Sequence, residues 1–254
     1  MILKYLYNYY QILLSDPEIN VATPGYSAAN VSFALNLSSD GELLDVIPFV
    51  SKFFDGKKER ERNYRVMIIP EQVKRSVNVS ANFMCDNAVY VLGITGKEAR
   101  DPNYAQSRFE EFRNHNIKIL SRANSSTARA LIAFLQKHDP KKAKEHPAIT
   151  RHLEGLLEGG NLIFQVEGKN ALDDPEIKRA WEEYVLGQEA IKLQCLVTGE
   201  IEPIARLHPS IKGVRYAQAT GASLVSFNLA AFTSYGREQG LNSPVSQRVA
   251  SGYG

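Results

Sequence analysis

The chain has 254 residues, of which 44% are hydrophobic and 23% are charged, and its formal net charge is +2. This composition is typical of a globular protein that is long enough to bury one large core or two small ones. The near-neutral charge excludes a polycation that coats nucleic acid nonspecifically. Any contact with nucleic acid must therefore come from local groups of lysine and arginine.

The first segment, "MILKYLYNYYQILL", is apolar but contains tyrosines, an asparagine and a lysine, and it lacks a small-residue cleavage site. It therefore predicts an amphipathic helix instead of a signal peptide. Its predicted apolar stripe consists of Ile2, Leu3, Leu6, Tyr10 and Leu13. No run reaches the roughly 18 apolar residues that a membrane span needs. We expect a cytoplasmic protein without a membrane partner.

Strand patterns follow. "NVSFALNLSSDGELLDVIPF" predicts a hairpin that turns at residues 39–41, and "YRVMIIP" predicts a strand that ends at Pro70. Between about residues 107 and 160 the period changes to that of helices, and "NSSTARALIAFLQKHDP" has a polar cap, an apolar face and a proline stop.

Further strand and helix signals come after this block. "NLIFQVEG" predicts a strand, "DDPEIKRAWEEYVLG" predicts a helix capped by Asp174 with Pro175 in its first turn, and a hairpin should turn at residues 198–200. In "SPVSQRVASGYG", Ser243 and Pro244 predict the start of a last helix. The predicted class is α+β, with mixed, mainly antiparallel strands and a helical insert at about residues 105–160.

Enzyme and metal motifs are incomplete. In "GITGKEA" the glycine spacing and the Glu98 that follows Lys97 do not fit a phosphate-binding loop. "GASLV" around Ser223 lacks the second glycine of a nucleophile elbow. His138 and Asp139 have no further ligands at suitable spacing, and His208 has no acid or nucleophile partner. We expect neither an enzyme nor a bound cofactor.

The two cysteines, Cys85 and Cys195, lie far apart in sequence and have no second Cys or His at metal-ligand spacing. A zinc site and a disulfide framework are both disfavoured by this pattern. We expect two reduced thiols in the core of a protein from a reducing compartment.

Two clusters of amide, hydroxyl and cationic side chains remain as candidate DNA-binding residues. The first comprises Lys74, Arg75, Asn78, Ser80, Asn82 and Asn87. The second comprises Lys212, Arg215, Gln218, Ser223, Asn228, Arg237, Gln239 and Asn242. Such residues often satisfy loops and turns. Asn and Gln also read base edges, and Lys and Arg neutralise phosphates.

The motifs "NVSANFMCDNAVYVLG" and "IARLHPSIKGVRYAQATGASLVSFNLAAFTSYGREQGLNSPVS" resemble the large subunit of the type I-C CRISPR surveillance complex (Cascade), also called the Dvulg-subtype CRISPR-associated protein. "MILKYLYNYYQIL" and "GYSAANVSFALNLSSDGELLDV" fit the same family in the same order. The resemblance covers essentially the whole chain, as an N-terminal portion of a family whose members continue further. Tyr216 and the "ATG" at 219–221 depart from the family pattern, and Tyr216 could crowd the DNA or stack on a base.

The resemblance implies a non-catalytic subunit beside the 5′ handle of the guide RNA. Such a subunit recognises the protospacer-adjacent motif in target double-stranded DNA, assists R-loop formation, and presents the DNA to a separate helicase-nuclease. Lys74, Arg75, Lys212, Arg215 and Arg237 would then position phosphates. Asn78, Asn82, Gln218 and Asn228 would include base readers or a duplex-splitting wedge.

Two alternatives stay open beside this prediction. One is an architectural subunit that contacts the guide-RNA handle and the neighbouring backbone and handle-binding subunits without reading DNA. The other is an unrecognised nuclease centred on His138–Asp139 or His208. An exposed DNA-binding face would also suit phage-encoded acidic inhibitors as partners.

Overall fold

The computed structural model describes residues 2–16, 19, 21–73, 75, 79–96, 103–186, 191–211, 214–218 and 221–254. They divide into a central unit, Tyr26–Val185, and a discontinuous unit, Met1–Gly25 with Leu186–Gly254. The elements in chain order are α1 (Ile2–Ser15), β1 (Tyr26–Leu37), β2 (Leu43–Pro48), β3 (Ser51–Phe54), β4 (Glu59–Arg62), β5 (Arg65–Pro70), β6 (Asp86–Asn87), α2 (Ala88–Val91), α3 (Tyr104–Leu120), α4 (Ser126–Lys137), α5 (Pro147–Arg151), α6 (Leu153–Glu158), β7 (Asn161–Val166), β8 (Lys169–Asn170), α7 (Pro175–Leu186), β9 (Lys192–Gln194), β10 (Ile201–Pro203), β11 (Ser210–Ile211), β12 (Ala222–Ser223) and α8 (Gln247–Tyr253).

The sheet of the central unit is built around β1. Along one edge, β1 pairs antiparallel with β5 through its first half and with β2 through its second half. Its other edge pairs parallel with β7, which in turn pairs antiparallel with β6 and β8. The run "VSFAL" is apolar enough for both faces of β1 to be covered, and Val31, Ala34 and Leu35 are fully buried. The predicted α+β class with mainly antiparallel strands is confirmed.

The predicted helical insert is also confirmed. Within the described residues, helices α3 to α6 and a 3-10 turn at Ala143–Glu145 occupy the chain from 104 to 158. On α3 the side chains of Phe109, Phe112 and Ile119 recur at helical spacing and are buried. Ser125 caps α4 by accepting the N–H of Ala128 at 3.1 Å. The block packs on the sheet, where the rings of Phe112 and Phe164 lie 6.2 Å apart.

The predicted β1–β2 turn is present and packs tightly on α4. The N–H of Gly41 donates to the carbonyl of Ser38 at 3.0 Å, and Gly41 has φ +78°. A Cβ atom at Gly41 would lie 2.5 Å from the carbonyl oxygen of Ala130 and 2.7 Å from the nitrogen of Phe134. The position therefore requires glycine for both its backbone conformation and its lack of a side chain.

The discontinuous unit has its own core. Tyr7 and Tyr10 of α1, Val249 and Tyr253 of α8, and Cys195 beside the β9–β10 hairpin are buried together. The β9–β10 hairpin confirms the predicted turn near residue 199. Both cysteines are free thiols in the core, as expected.

Three details differ from the sequence predictions. Ile2 is 61% exposed, because the buried face of α1 runs through Tyr7 and Tyr10. The last helix begins after Ser246, whose hydroxyl accepts the N–H of Val249 at 3.3 Å, so the predicted cap at Ser243 is wrong. The hairpin of β3 and β4 was not predicted, because its sequence "SKFFDGKKERER" is mostly charged.

Replacement of Gly41 by alanine tests the packing of this turn on α4. Gly168 has a similar φ of +76°, but a Cβ atom added there would meet no other atom within 4 Å, so Gly168→Ala is the matched control. We expect Gly168→Ala to lower the free energy of unfolding by about 1 kcal/mol, the cost of a left-handed alanine. Gly41→Ala should cost about 2 kcal/mol more, because overlap with the helix is added. Urea denaturation measures both, and equal losses would contradict the close packing.

Candidate nucleic-acid interface

The first predicted cluster lies in the central unit and is organised around the carboxylate of Asp86, which is 1% exposed. Nη1 of Arg75 donates to Oδ1 of Asp86 at 2.9 Å, and Nη2 donates to Oδ2. The backbone N–H groups of Asn82 and Asn87 donate to the same carboxylate at 3.0 and 2.9 Å. The buried charge is thus paired and hydrogen-bonded, which is the condition under which a carboxylate can be buried.

The rest of the Arg75 side chain is also held by the fold. Its guanidinium lies 3.9 Å from the ring centre of Tyr90, and Nε donates to the carbonyl oxygen of Ser80 at 2.6 Å. A guanidinium bound on its edge and on one face has few donors left for a phosphate. These contacts argue against the prediction that Arg75 positions phosphates.

The amides of this cluster have folding roles as well. Asn82 is 5% exposed, and its Oδ1 accepts the N–H of Val73 at 2.9 Å. Asn87 caps α2, where its Oδ1 accepts the N–H groups of Val89 and Tyr90. Ser80 is half-buried. These contacts argue against Asn82 as a base reader and against Asn87 as a DNA contact, and Lys74 and Asn78 lie outside the described residues.

A buried residue that the sequence analysis missed shapes this loop. Asn116 of α3 is 0% exposed, accepts the N–H of Met84 at 2.8 Å, and donates to the carbonyl oxygens of Asn82 and Phe112 at 3.0 and 2.9 Å. Met84 has a φ of 59°, a conformation that is uncommon for a bulky residue. The signal in the sequence was an asparagine at a position where the α3 period places an apolar residue.

The second predicted cluster lies in the discontinuous unit and begins in the hairpin of β11 and β12. Arg215 and Gln218 are exposed in the loop between these strands, and the Arg215 guanidinium lies 4.8 Å from the ring centre of Tyr216. Ser223 is exposed on β12, with its Oγ 3.5 Å from that of Ser210. Gly221 has φ +108°, and a Cβ there would lie 2.8 Å from Ser210. Lys212, Ala219 and Thr220 lie outside the described residues.

The second cluster continues through the segment from 228 to 242. Asn228 and Arg237 are exposed, and among the described residues no ion pair or side-chain hydrogen bond of either is found. Gln239 instead accepts a hydrogen bond from Nε of Arg206. Asn242 accepts the N–H of Ser234 and donates to the carbonyls of Arg237 and Gln239, each at 3.0 Å. The side chains of Gln239 and Asn242 thus stabilise the conformation of this segment. These contacts argue against their prediction as DNA contacts.

The structure therefore separates the predicted residues into two groups. Arg215, Gln218, Ser223, Asn228 and Arg237 present their side chains at the surface of the discontinuous unit. Arg75, Asn82, Asn87, Gln239 and Asn242 bind neighbouring backbone or side chains.

Comparison with known proteins adds the family. Residues 6–254 match the family model described as CRISPR-associated protein (Cas_Csd1), and this range includes both clusters. The chain belongs to the Cas_Csd1 family. The comparison with curated proteins found no match to the chain.

In this Cas_Csd1 chain, the histidines considered for catalysis have structural surroundings. Nε2 of His138 lies 3.0 Å from the carbonyl oxygen of Leu92, and its ring lies 5.1 Å from the rings of both Phe109 and Phe134. Nδ1 of His208 lies 2.5 Å from the Tyr253 hydroxyl. Burial lowers the pKa of both histidines. Among the described residues there is no group of three or more His, Cys, Asp and Glu that could hold a metal ion.

The thiol of Cys195 has an unusual environment in the Cas_Csd1 chain. Burial alone would raise its pKa, but the Thr198 hydroxyl and the N–H groups of Ser246, Thr198 and Val197 outweigh burial and lower the pKa to about 7. Burial raises the pKa of Cys85.

None of the described helices is long and apolar enough to cross a bilayer.

Replacement of Arg75 by alanine tests whether this arginine holds the fold. The change leaves the Asp86 charge buried without its partner, so we expect the free energy of unfolding to fall by about 3 kcal/mol. Arg237→Ala is the control, because its exposed side chain should contribute within about 0.5 kcal/mol. Chemical denaturation of the two variants gives the comparison. If the Arg75→Ala protein were as stable as the control, the structural role of Arg75 would be contradicted and a phosphate contact would again be the better interpretation.

Proposed function

We propose that this chain acts as the non-catalytic large subunit of a type I-C CRISPR surveillance complex and recognises the protospacer-adjacent motif in target duplex DNA. The observation that carries the proposal is the family match over residues 6–254. It is supported by the group of exposed cationic and amide side chains in the discontinuous unit, Arg215, Gln218, Asn228 and Arg237.

The chemistry of these four side chains suits a short flanking motif. The guanidinium groups of Arg215 and Arg237 would pair with phosphates and so position the nucleic acid. The amides of Gln218 and Asn228 would each offer one donor and one acceptor, which is the pattern that pairs with the major-groove edge of adenine. Gly221 lies between the two amides in sequence, where its positive φ and its close contact with Ser210 allow the hairpin to turn.

The partners follow from this role. Pairing with the guide RNA would read the long target sequence, while protein reads only the short motif beside it. The chain would therefore work together with the backbone and handle-binding subunits and would present the opened DNA to a helicase-nuclease. Lys74, Asn78 and Lys212 remain predicted contacts that lie outside the described residues.

An architectural role is the second candidate, and one observation favours it. Ile2, Tyr5, Tyr9 and Ile12 recur along one face of α1 and are 61%, 68%, 60% and 65% exposed. Apolar side chains at this spacing are typical of a helix face that packs against protein. Under this candidate the chain would hold neighbouring subunits and the guide-RNA handle while another part of the complex reads DNA.

Motif-dependent binding by the reconstituted complex tests the proposal. If Gln218 and Asn228 read bases, Gln218→Ala and Asn228→Ala should each reduce the difference in binding free energy between correct and incorrect motifs by about 1–3 kcal/mol. Arg215→Ala and Arg237→Ala should weaken both targets alike and reduce the salt slope by about 1 per contact. Asn114→Ala and Arg122→Ala, which alter exposed residues of the central unit, are the amide and charge controls.

The outcomes separate the two candidates. An unchanged affinity ratio and an unchanged salt slope in all four variants would contradict the assigned DNA contacts. Loss of subunit assembly before any change in DNA binding, above all in a Tyr5→Ser, Tyr9→Ser variant, would favour the architectural role.

A further inference from the structure

The β-turn at 234–237 has a tyrosine, Tyr235, at the first of its two central positions. The N–H of Arg237 donates to the carbonyl of Ser234 at 2.9 Å, and Tyr235 and Gly236 have φ values of 49° and 69°. Two positive φ angles in succession are the signature of a type I′ turn, for which Asn-Gly and Asp-Gly are the preferred pairs. An aromatic residue in this conformation is an outlier.

Packing does not compensate for this strain, because Tyr235 is 99% exposed. The turn beneath it is nevertheless held firmly. Asn242 binds the backbone of Ser234 and Arg237, and the N–H of Gly240 donates to the carbonyl of Arg206 at 3.0 Å. A strained residue on a well-braced turn is more often found where function requires its side chain than where stability does.

A second tyrosine in the same unit repeats the arrangement. Tyr216 has a φ of 66° and is 91% exposed, and the guanidinium of Arg215 lies beside its ring. Tyr235 has an exposed arginine two residues after it, Arg237, for which no ion pair is found among the described residues. Each exposed ring therefore has an arginine within two residues in sequence, and Arg215 lies against the ring of Tyr216.

A ring beside an arginine matches the chemistry of one nucleotide. Every nucleobase has a π-face that stacks on an aromatic ring, and the adjoining phosphate pairs with a guanidinium. A base can reach such a ring only when it is unstacked from its neighbours, as in a single strand. Tyr and Arg are also enriched at protein interfaces, so a protein contact is the competing outcome of the test.

We propose that Tyr235, with Arg237 on the adjoining phosphate, is a stacking platform for an unpaired nucleobase, and that Tyr216 with Arg215 is a second one. This inference deepens the proposed function and rests on it, because it takes nucleic acid as the partner. The strand is either the displaced strand of the target DNA or the guide RNA.

The test uses the reconstituted complex with Tyr235→Asn and Tyr235→Phe. Asparagine is the preferred residue at this turn position, so Tyr235→Asn should leave the melting temperature of the purified chain unchanged or higher. It should nevertheless weaken binding of a strand that stacks on Tyr235 by about 5- to 150-fold, the range measured for loss of one base–aromatic stack. Tyr235→Phe keeps the ring and should stay within about twofold of the parent.

Two probes distinguish the source of the base. Fluorescence of 2-aminopurine is quenched on stacking, so the label is placed in the displaced DNA strand in one set of complexes and in the 5′ handle of the guide RNA in the other. The label that brightens in Tyr235→Asn but not in Tyr235→Phe identifies the stacked strand. Tyr216→Asn, compared with Tyr216→Phe, tests the second platform in the same way.

The results that would overturn the stacking platform differ from the result that would refute the proposed function. Unchanged affinity and unchanged fluorescence with both labels, in a complex that still discriminates the flanking motif, would overturn the platform alone. A fall in melting temperature with Tyr235→Asn would show that the tyrosine is structural. Loss of a protein subunit from the complex with unchanged fluorescence would show a protein contact and also overturn the proposal. A parent complex without motif discrimination would refute the proposed function instead.

Discussion

The parallel pairing of β1 with β7 is the constraint on which the central unit depends. Residues 31–37 of β1 lie beside residues 161–166 of β7 in the same direction. Parallel neighbours cannot be joined by a tight turn, so the chain between them must leave the sheet and return. The helices from α3 to α6 provide most of this crossover and cover the sheet, and their buried faces supply much of the core.

The shortness of β6, the strand that pairs with the other edge of β7, explains why the loop before α2 is polar and yet buried. β6 adds only two residues to the edge of β7, so backbone groups around it lack sheet partners. Asp86, Asn82 and Asn116 supply those partners from side chains. Buried networks of this kind are stable only when every member is satisfied. The amides that first suggested nucleic-acid recognition in this part of the chain are therefore explained by the fold.

Sequence patterns predicted the elements better than the roles of side chains. The helical insert, the β1–β2 hairpin and the Asp174 cap were predictable because each depends on local periodicity or turn chemistry. The Arg75–Asp86 pair and the Asn116 network were not, because their partners come together only through tertiary packing. The start of α8 was misplaced by three residues because two serines offer similar caps. In the candidate site, too, the roles of side chains could not be predicted from local sequence. The two clusters have similar amide content, and only burial in the folded chain distinguishes Asn82 from Asn228. Tyr216 was noted from the sequence, whereas Tyr235 was not, because its importance lies in a φ angle and an exposure that composition does not reveal.

The charge of the chain limits how it could bind DNA. Its 30 lysines and arginines are nearly matched by 28 acidic residues, and many of the described cations form ion pairs, such as Arg151 with Asp45 and Arg248 with Glu202. A few free guanidinium groups give a small salt-dependent term and weak binding by themselves. Exposed rings and amides add contacts that do not depend on net charge. Such a surface would gain its affinity from being held next to DNA already paired with a guide, because linked weak contacts then act together.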